Sequence, residues 1–390
     1  MIEKAQHYLQ KEKIDGWLLY DFHRSNELAH RVLQIPGGVM ASRRFLYWIP
    51  AEGIPVKIVH AIESHMLDHL PGEKKVYSSW QSLEKEIERI LSGVKSVAME
   101  YSPKNAIPYV SKVDAGTVDL IRSFGVEVVS SANFLLYFTS TLNVEQMASQ
   151  TRAASLLSEI VAGAWVLIAK ELKSGITERQ VQKWIQAQYR LNHLVTDSGP
   201  IVAVNEHSAD PHFMTPDVGS NLIRAGDFVL IDLWAKEERE DSVFGDITRV
   251  AVAGAPTAKQ KEVFQIVRTA QKAGIDLVKS RYAAKKPIQG WEVDEAVRST
   301  IVKAGYGEYF IHRTGHNIEI ELHGSGTHMD NLEMHDVRPI VPMTCFSIEP
   351  GIYLPGEFGV RLESDVQILS DGTVKVTGGE MDQLLDLTKE

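Results

Sequence analysis

Residues 231–248 read IDLWAKEEREDSVFGDIT, an apolar run, a charged tip and a second apolar run, with Asp232 near one end and Asp246 near the other. The tip, 236–241, is too polar to bury, so the chain is expected to reverse there and lay the two runs side by side as an antiparallel hairpin. Asp232 and Asp246 are then expected to face each other, with Cβ atoms roughly 5 Å apart. Two carboxylates held that close on apolar strands repel unless a proton or a metal lies between them. The stretch asks for a cation.

A second copy lies downstream. Residues 346–365, FSIEPGIYLPGEFGVRLESD, again form an apolar run, a Pro/Gly-rich tip and a returning run, with Glu349 and Glu363 in the places of the aspartates. Both acid pairs are 14 residues apart, and the copies are offset by 117. A helical apolar face precedes each, through Leu157, Ile160, Val161, Ala164 and Ile168 in one case and Val263, Ile266, Val267, Ala270 and Leu277 in the other. A second helix is expected after each, starting near Thr177, whose spacing to Gln180 is that of a capping box, and near Asp294, read as an N-cap. Residues 146–255 and 256–380 therefore read as two related halves. Paired about a pseudo-two-fold axis, they would bring four carboxylates to one centre.

The chain has 390 residues, enough for two or three domains, and 44% of them are hydrophobic, ordinary for a folded protein with a large core. A net charge of -10 argues against nucleic acid or an anionic membrane as the main partner. The one cysteine, Cys345, can form no intramolecular disulfide, and residues 1–13 are a charged helical pattern rather than a signal peptide, so a cytoplasmic location is expected. The apolar stretch 156–172 is interrupted by Ser158, Glu159 and Lys170, and no segment is expected to meet the roughly 20-residue requirement of a membrane span. Residues 1–140 read as a separate α/β domain of alternating strands and helices without a catalytic constellation, its Trp17, Tyr20 and Trp48 being core residues.

Histidines gather in two places. His207 and His212 lie among turn formers in 200–213, and Asp210-Pro211 could hold His212 in a fixed turn. His312, His316 and His323 lie in 310–324, FIHRTGHNIEIELHG, where Gly315 and the alternation of Ile318, Ile320 and Leu322 favour a loop entering a strand. On a regular strand His316 and His323 would point to opposite faces, so both can serve one site only if the chain bends.

The succession of Asp in VLIDLW, Asp in GDITR, His in RTGHNI, Glu in FSIEPGIY and Glu in VRLESD resembles the pita-bread metallopeptidases, the Xaa-Pro aminopeptidases, prolidases and methionyl aminopeptidases. The resemblance implies an α+β pita-bread domain over 145–385 with pseudo-two-fold halves, preceded by a smaller creatinase-type α/β domain. It further implies a site for two divalent ions: Asp232 on one, Asp246 and Glu363 bridging, and His316 and Glu349 completing the other. Oxygen-rich ligation with one imidazole suits Mn²⁺, with Co²⁺, Zn²⁺ or Fe²⁺ as alternatives. A hydroxide between the ions would then attack the scissile carbonyl of a short peptide, with Glu349 or Glu363 taking the water proton. By the same resemblance His212 contacts substrate near the scissile bond, His323 donates to the carbonyl oxygen, His312 lines the pocket, and Tyr353 and Arg361 support the site beside the substrate. A homodimer is also implied.

The chain departs from the family pattern after His316. Relatives usually read GHGIG followed by a His-Glu pair, whereas here Asn317, Glu319 and Gly324 stand in place of Gly, Gly and Glu. The first hairpin is about three residues longer than usual, an insertion a solvated tip tolerates. Residues 324–338 read as a long polar loop beside the cleft. Two other readings stay open: a pita-bread enzyme acting on a small non-peptide substrate, and a non-catalytic binding module that kept the fold.

Overall fold

In the computed structural model, which describes residues 1–389, the chain divides into two compact units, Met1–Thr139 and Ser140–Glu390. The first holds a six-stranded sheet in the order β4-β3-β2-β1-β5-β6: β1 (Gly16–Asp21), β2 (Phe45–Pro50), β3 (Val56–His60), β4 (Glu73–Tyr77), β5 (Ser96–Met99) and β6 (Glu127–Ser130). β2 is antiparallel to both its neighbours, and the other pairings are parallel. Helices α1 (Ile2–Glu12), α2 (Glu27–Val32), α3 (Trp80–Leu91), α4 (Ala115–Ser123) and α5 (Ala132–Thr139) complete the unit. Trp17, Tyr20 and Trp48 are buried in it. The Trp17 indole N–H is satisfied by the buried Glu100 carboxylate at 2.7 Å, as a buried donor requires.

The second unit is built twice from one pattern. Helix α6 (Val144–Glu171) is followed by α7 (Glu178–Leu191), and helix α8 (Ala258–Ala283) by α9 (Gly290–Lys303); the long helices have 28 and 26 residues and both short ones have 14. Thr177 caps α7 through the capping box with Gln180. Asp294 does not cap α9. That helix begins earlier, where the Glu292 carboxylate accepts the Gln289 N–H at 2.9 Å, and Asp294, fully buried inside it, instead grips Arg298 and the Thr314 hydroxyl and N–H. Helix α6 is also long and apolar enough to span a membrane by length and composition, contrary to the expectation from its interrupting charges. Its apolar face, through Leu157, Ile160, Val161 and Ile168, is buried in a cluster with Ile231, Leu233 and Ile247, the pattern of a core helix.

The short strand β7 (Ile176–Thr177) lies between α6 and α7; between the helix pairs run β8 (Leu194–Val195), β9 (Ile201–Val204) and β10 (Leu222–Ile223), then the first hairpin, β11 (Phe228–Glu237) and β12 (Gly245–Val252). β11 is central, paired antiparallel with β12, β9 and β8. After α9 come β13 (Asn317–Ile318), β14 (Thr344–Ile348), β15 (Gly351–Leu354), β16 (Phe358–Arg361), β17 (Ser364–Ile368), β18 (Val374–Thr377) and β19 (Leu385–Asp386). β14 with β17 and β15 with β16 are two ladders of one antiparallel hairpin, interrupted at Pro350 and at Leu362-Glu363. Proline removes a ladder donor, which fits the break.

The two hairpins differ in register. In the first, Asp232 pairs with Thr248 and Trp234 with Asp246, so the aspartates share a face but sit diagonally rather than opposite each other as expected. The tip spans 236–244, longer by two at one end than a hairpin centred on the acids would need. In the second, Ile348 pairs with Ser364 and Gly351 with Arg361, a common register that sets Glu349 directly across from Glu363.

Residues 324–338 are polar but not a solvated loop. Thr327, His328, Asp330, Asp336 and Arg338 are buried, and Arg338 is satisfied by Asp336 and by the carbonyls of Ser325 and Gly326. A charge that deep persists only when paired and hydrogen-bonded on all sides.

Candidate metal centre

Strand alternation decides which side chains converge. Along β11, Ile231, Leu233 and Ala235 pack with α6, leaving Asp232 on the opposite face with Leu230 and Trp234. Along β12, Ile247 and Ala251 take the helix side and leave Asp246 and Thr248 beside Val250 and Val252. The second hairpin closes on this face: the Glu363 N–H donates to the Thr248 carbonyl at 3.3 Å, and the Asp246 N–H donates to Asp365 at 2.9 Å. His316 arrives from the loop before β13. A Cβ on Gly315 would lie 2.0 Å from the Ser347 carbonyl oxygen, so only glycine lets the loop lie this close to β14. The His316 N–H then donates to Ser347 Oγ at 3.0 Å.

The five residues expected as ligands come together. Asp246, His316 and Glu363 each offer an atom within 4.8 Å of the others'. His316 Nε2 is 3.5 Å from Asp246 Oδ2 and 3.4 Å from Glu349 Oε1. Asp232 is held by Arg361, Nη2 to Oδ2 at 2.5 Å. Asp232, Asp246, His316 and Glu363 are buried, and Glu349 is partly so.

The donor set is short of cations. Asp232 Oδ1, Asp246 Oδ1 and Glu363 Oε1 are buried oxygens with no hydrogen-bond partner among the described residues. Burial, then Glu363 and Asp232, push the Asp246 carboxyl well above the usual carboxylate range; burial, then Glu349 and Asp232, do the same to Glu363. Glu349 is pushed up to about 7, chiefly by burial. Burial holds His316 well below the ordinary imidazole value, so at neutral pH its ring is uncharged. The Asn317 carbonyl, 3.3 Å from Nδ1, accepts a hydrogen bond from the Nδ1–H and leaves the Nε2 lone pair on the side of the carboxylates. Buried carboxyl oxygens without donors around a neutral imidazole lone pair fit a divalent metal, whose binding would displace the carboxyl protons.

The supporting residues form a directed chain. His312 Nδ1 lies 2.7 Å from the Arg313 carbonyl, so Nδ1 carries the proton and Nε2 accepts the Tyr353 hydroxyl at 2.7 Å. Tyr353 Oη in turn accepts from Arg361 Nη1 at 3.0 Å. The polar atoms of His312 and Tyr353 are thus engaged with each other, with the Arg313 carbonyl and with Arg361. Arg361 also donates from Nε to Thr248 Oγ1 at 3.1 Å, and the Thr248 hydroxyl donates to Glu363 Oε2 at 2.7 Å. The carboxylate Arg361 holds is Asp232, by one bond, not the neighbouring Glu363.

His323 meets His316 after all, ring centres 4.2 Å apart in an edge-on arrangement. The regular strand stops at Ile318 and the chain bends, which removes the parity argument that set the two apart. Partial burial, then the Arg313 charge, keeps His323 below its ordinary value. His212 is exposed on a turn closed by its own N–H to Asp210 Oδ1 at 3.0 Å, near enough for its charge to act on His323. His207 is elsewhere: its Nδ1 lies 2.7 Å from the buried Glu178 and its ring stacks on Phe213.

Five contributors were not anticipated: Thr248, Ser347, Asp365, Arg249 and Gln150. Thr248 and Asp365 each lie two residues beyond a proposed ligand on the same strand face, a spacing that could have marked them. Arg249 is buried and donates to the carbonyls of Thr248, Glu363, Gly378 and Gly379. Gln150 of α6, which donates to Asp365 at 2.6 Å, left no signal in sequence.

The sequence model of metallopeptidase family M24 matches residues 151–370, a range that contains all five of the residues expected as ligands. The chain belongs to metallopeptidase family M24. Among curated relatives, an Xaa-Pro dipeptidase of Lactobacillus delbrueckii subsp. lactis is 39% identical over 203 residues, covering 52% of this M24 chain and 51% of that protein, so the match spans about half of that relative. An uncharacterised peptidase of Staphylococcus saprophyticus is 31% identical over 265 residues, 67% of this chain and 70% of that protein. The prolidase structure from Pyrococcus horikoshii OT3 shares the fold with a TM-score of 0.61 at 24% identity, covering 98% of this chain and 99% of that one. The fold is α+β, of the pita-bread type, preceded by a smaller α/β unit.

Proposed function

We propose that this M24 protein is a metal-dependent hydrolase of short peptides with proline after the cleaved bond, an Xaa-Pro dipeptidase or aminopeptidase. The observation that carries the reading is the convergence of Asp232, Asp246, His316, Glu349 and Glu363, with three buried carboxylate oxygens left without donors. Asp232, Asp246, His316, Glu349 and Glu363 would hold two divalent ions, Mn²⁺ first among candidates for an oxygen-rich set and Co²⁺, Zn²⁺ or Fe²⁺ after it. Bound there, such ions supply Lewis-acid polarisation and offset the charge of the four carboxylates.

The remaining steps belong to side chains. Arg361, fixed by Tyr353 and His312, holds Asp232 in one orientation. His323, uncharged at neutral pH and exposed, would present an N–H to the substrate carbonyl oxygen as charge develops on it. His212 would contact substrate from the facing turn. Glu349 or Glu363 would accept and return the proton of the attacking water. The relative named as an Xaa-Pro dipeptidase supports the proline preference. A homodimer in the cytoplasm, with neither nucleic acid nor membrane as partner, is part of the same reading, supported by the family resemblance, the net charge of -10 and the single buried cysteine.

Elemental analysis followed by turnover of Ala-Pro and Ala-Ala peptides with added Mn²⁺, Co²⁺ or Zn²⁺ tests it. Near two equivalents of metal with proline-dependent cleavage is expected. Two metals without peptide cleavage would transfer the reading to a small non-peptide substrate, and neither metal nor activity would leave a binding module.

A further inference from the structure

Asn317, Glu319 and Gly324, the three departures from the family pattern, are in contact with one another. After Ile318 the chain makes a loop and returns: the Gly324 N–H donates to the Asn317 carbonyl at 2.9 Å, the Gly326 N–H to Asn317 Oδ1 at 2.8 Å, and the Ser325 N–H to Glu319 Oε1 at 3.1 Å. Asn317 and Glu319 are buried. A Cβ on Gly324 would fall 2.6 Å from Glu319 Cγ and Cδ and 2.4 Å from Asn317 Oδ1. The two side chains therefore occupy room that exists only because residue 324 has none of its own.

The other side of the loop is gripped by the long first hairpin. The Phe244 N–H donates to the Glu319 carbonyl at 3.2 Å, and Lys236 donates to the Ile320 carbonyl at 2.6 Å while its ammonium lies 5.0 Å from the Phe244 ring centre. His323 is the last residue before the loop closes at Gly324. It therefore leads directly into the turn that Glu319 and Asn317 hold through residues 324–326.

We propose that Glu319 is a positioning residue for His323: seated in the space left at Gly324, its carboxylate fastens Ser325 and so sets His323 edge-on to His316. Ser325 reaches the same Glu319 Oε1 with its N–H at 3.1 Å and its hydroxyl at 3.5 Å, so the carboxylate joins the returning backbone beside the space at Gly324. The role rests on the reading of His323 as a substrate-facing group, and its first readout does not depend on hydrolysis.

That readout is the nuclear magnetic resonance signal of the His323 ring in metal-free full-length protein, assigned by its loss in His323→Gln. Glu319→Ala is expected to shift or broaden this signal and, in the metal-loaded enzyme, to lower kcat about 10- to 100-fold with KM little changed. Glu319→Gln keeps an acceptor for Ser325 and is expected to stay close to wild type in both. Gly324→Ala keeps the carboxylate but denies it room, and is expected to displace the His323 signal as Glu319→Ala does; it serves the same comparison if Glu319→Ala does not fold. An unmoved His323 signal in Glu319→Ala or Gly324→Ala overturns the proposal, as does a Glu319→Gln protein that behaves like Glu319→Ala. If the signals respond as expected while the wild type cleaves no peptide, the hydrolase reading fails and the positioning role stands.

Discussion

Arg361 and Asp232, on facing hairpins, meet with Nη2 2.5 Å from Oδ2, and the same guanidinium reaches Tyr353 and Thr248. One planar cation thereby fixes a carboxylate of the first half from the second. Lysine carries a point charge and cannot make these three contacts at once. Arg361→Lys is expected to keep the fold but weaken metal binding and turnover about 10- to 100-fold, read by calorimetric titration with Mn²⁺ and by peptide hydrolysis.

Asp246→Ala should separate stability from metal binding. In the metal-free protein it removes a buried, crowded carboxylate, so thermal stability is expected to hold or rise. Added metal at 100-fold above its Kd stabilises a binding protein by about 2.7 kcal/mol; the wild type is expected to show such a gain and Asp246→Ala none. Equal gains in both proteins would remove Asp246 from the ligand set.

The raised carboxyls set the direction of pH dependence. Asp246, Glu349 and Glu363 hold their protons more tightly folded than unfolded, so between the ordinary carboxylate value near 4 and the folded value the native state binds the excess protons. Metal-free stability is therefore expected to be full at low pH and to fall as pH rises, for Glu349 through about 7. Metal uptake must displace these protons, so affinity is expected to climb over the same window with proton release. Denaturant titrations of metal-free protein, and Mn²⁺ calorimetry in two buffers of different ionisation enthalpy, check both halves.

The two facing histidines should differ in kind. His316→Ala is expected to lose metal and activity together, whereas His323→Ala is expected to retain metal and lose turnover. Loss of both in His323→Ala, seen by elemental analysis, would make it a ligand or a structural residue.

The ligand residue types were legible because a strand alternates every two positions and acids on an apolar strand face have no ordinary use there. Register was not, since the charged tip at 236–241 marks a reversal without saying how many residues it consumes, and Asp232 came to rest beside Thr248 instead of Asp246. The parity rule separated His316 from His323 only while the chain between them was taken as straight. Asp294 looked like a cap because its type suits one, but Gln289 and Glu292 close the helix start first and leave Asp294 to hold the histidine loop through Arg298 and Thr314. Gln150 and Arg249 act across hundreds of sequence positions or through carbonyls alone, and nothing local announces such work.

The slip of register between the hairpins makes the two halves non-interchangeable. A chain assembled from two first halves would present two diagonal acid pairs, and one assembled from two second halves two opposed pairs. In this chain, with Asp232 offset and Glu349 squarely across from Glu363, Arg361 reaches a carboxylate of the other hairpin. The ancestral repeat is still visible in the helix lengths, but the centre it built has become a one-handed lock whose halves can no longer be traded.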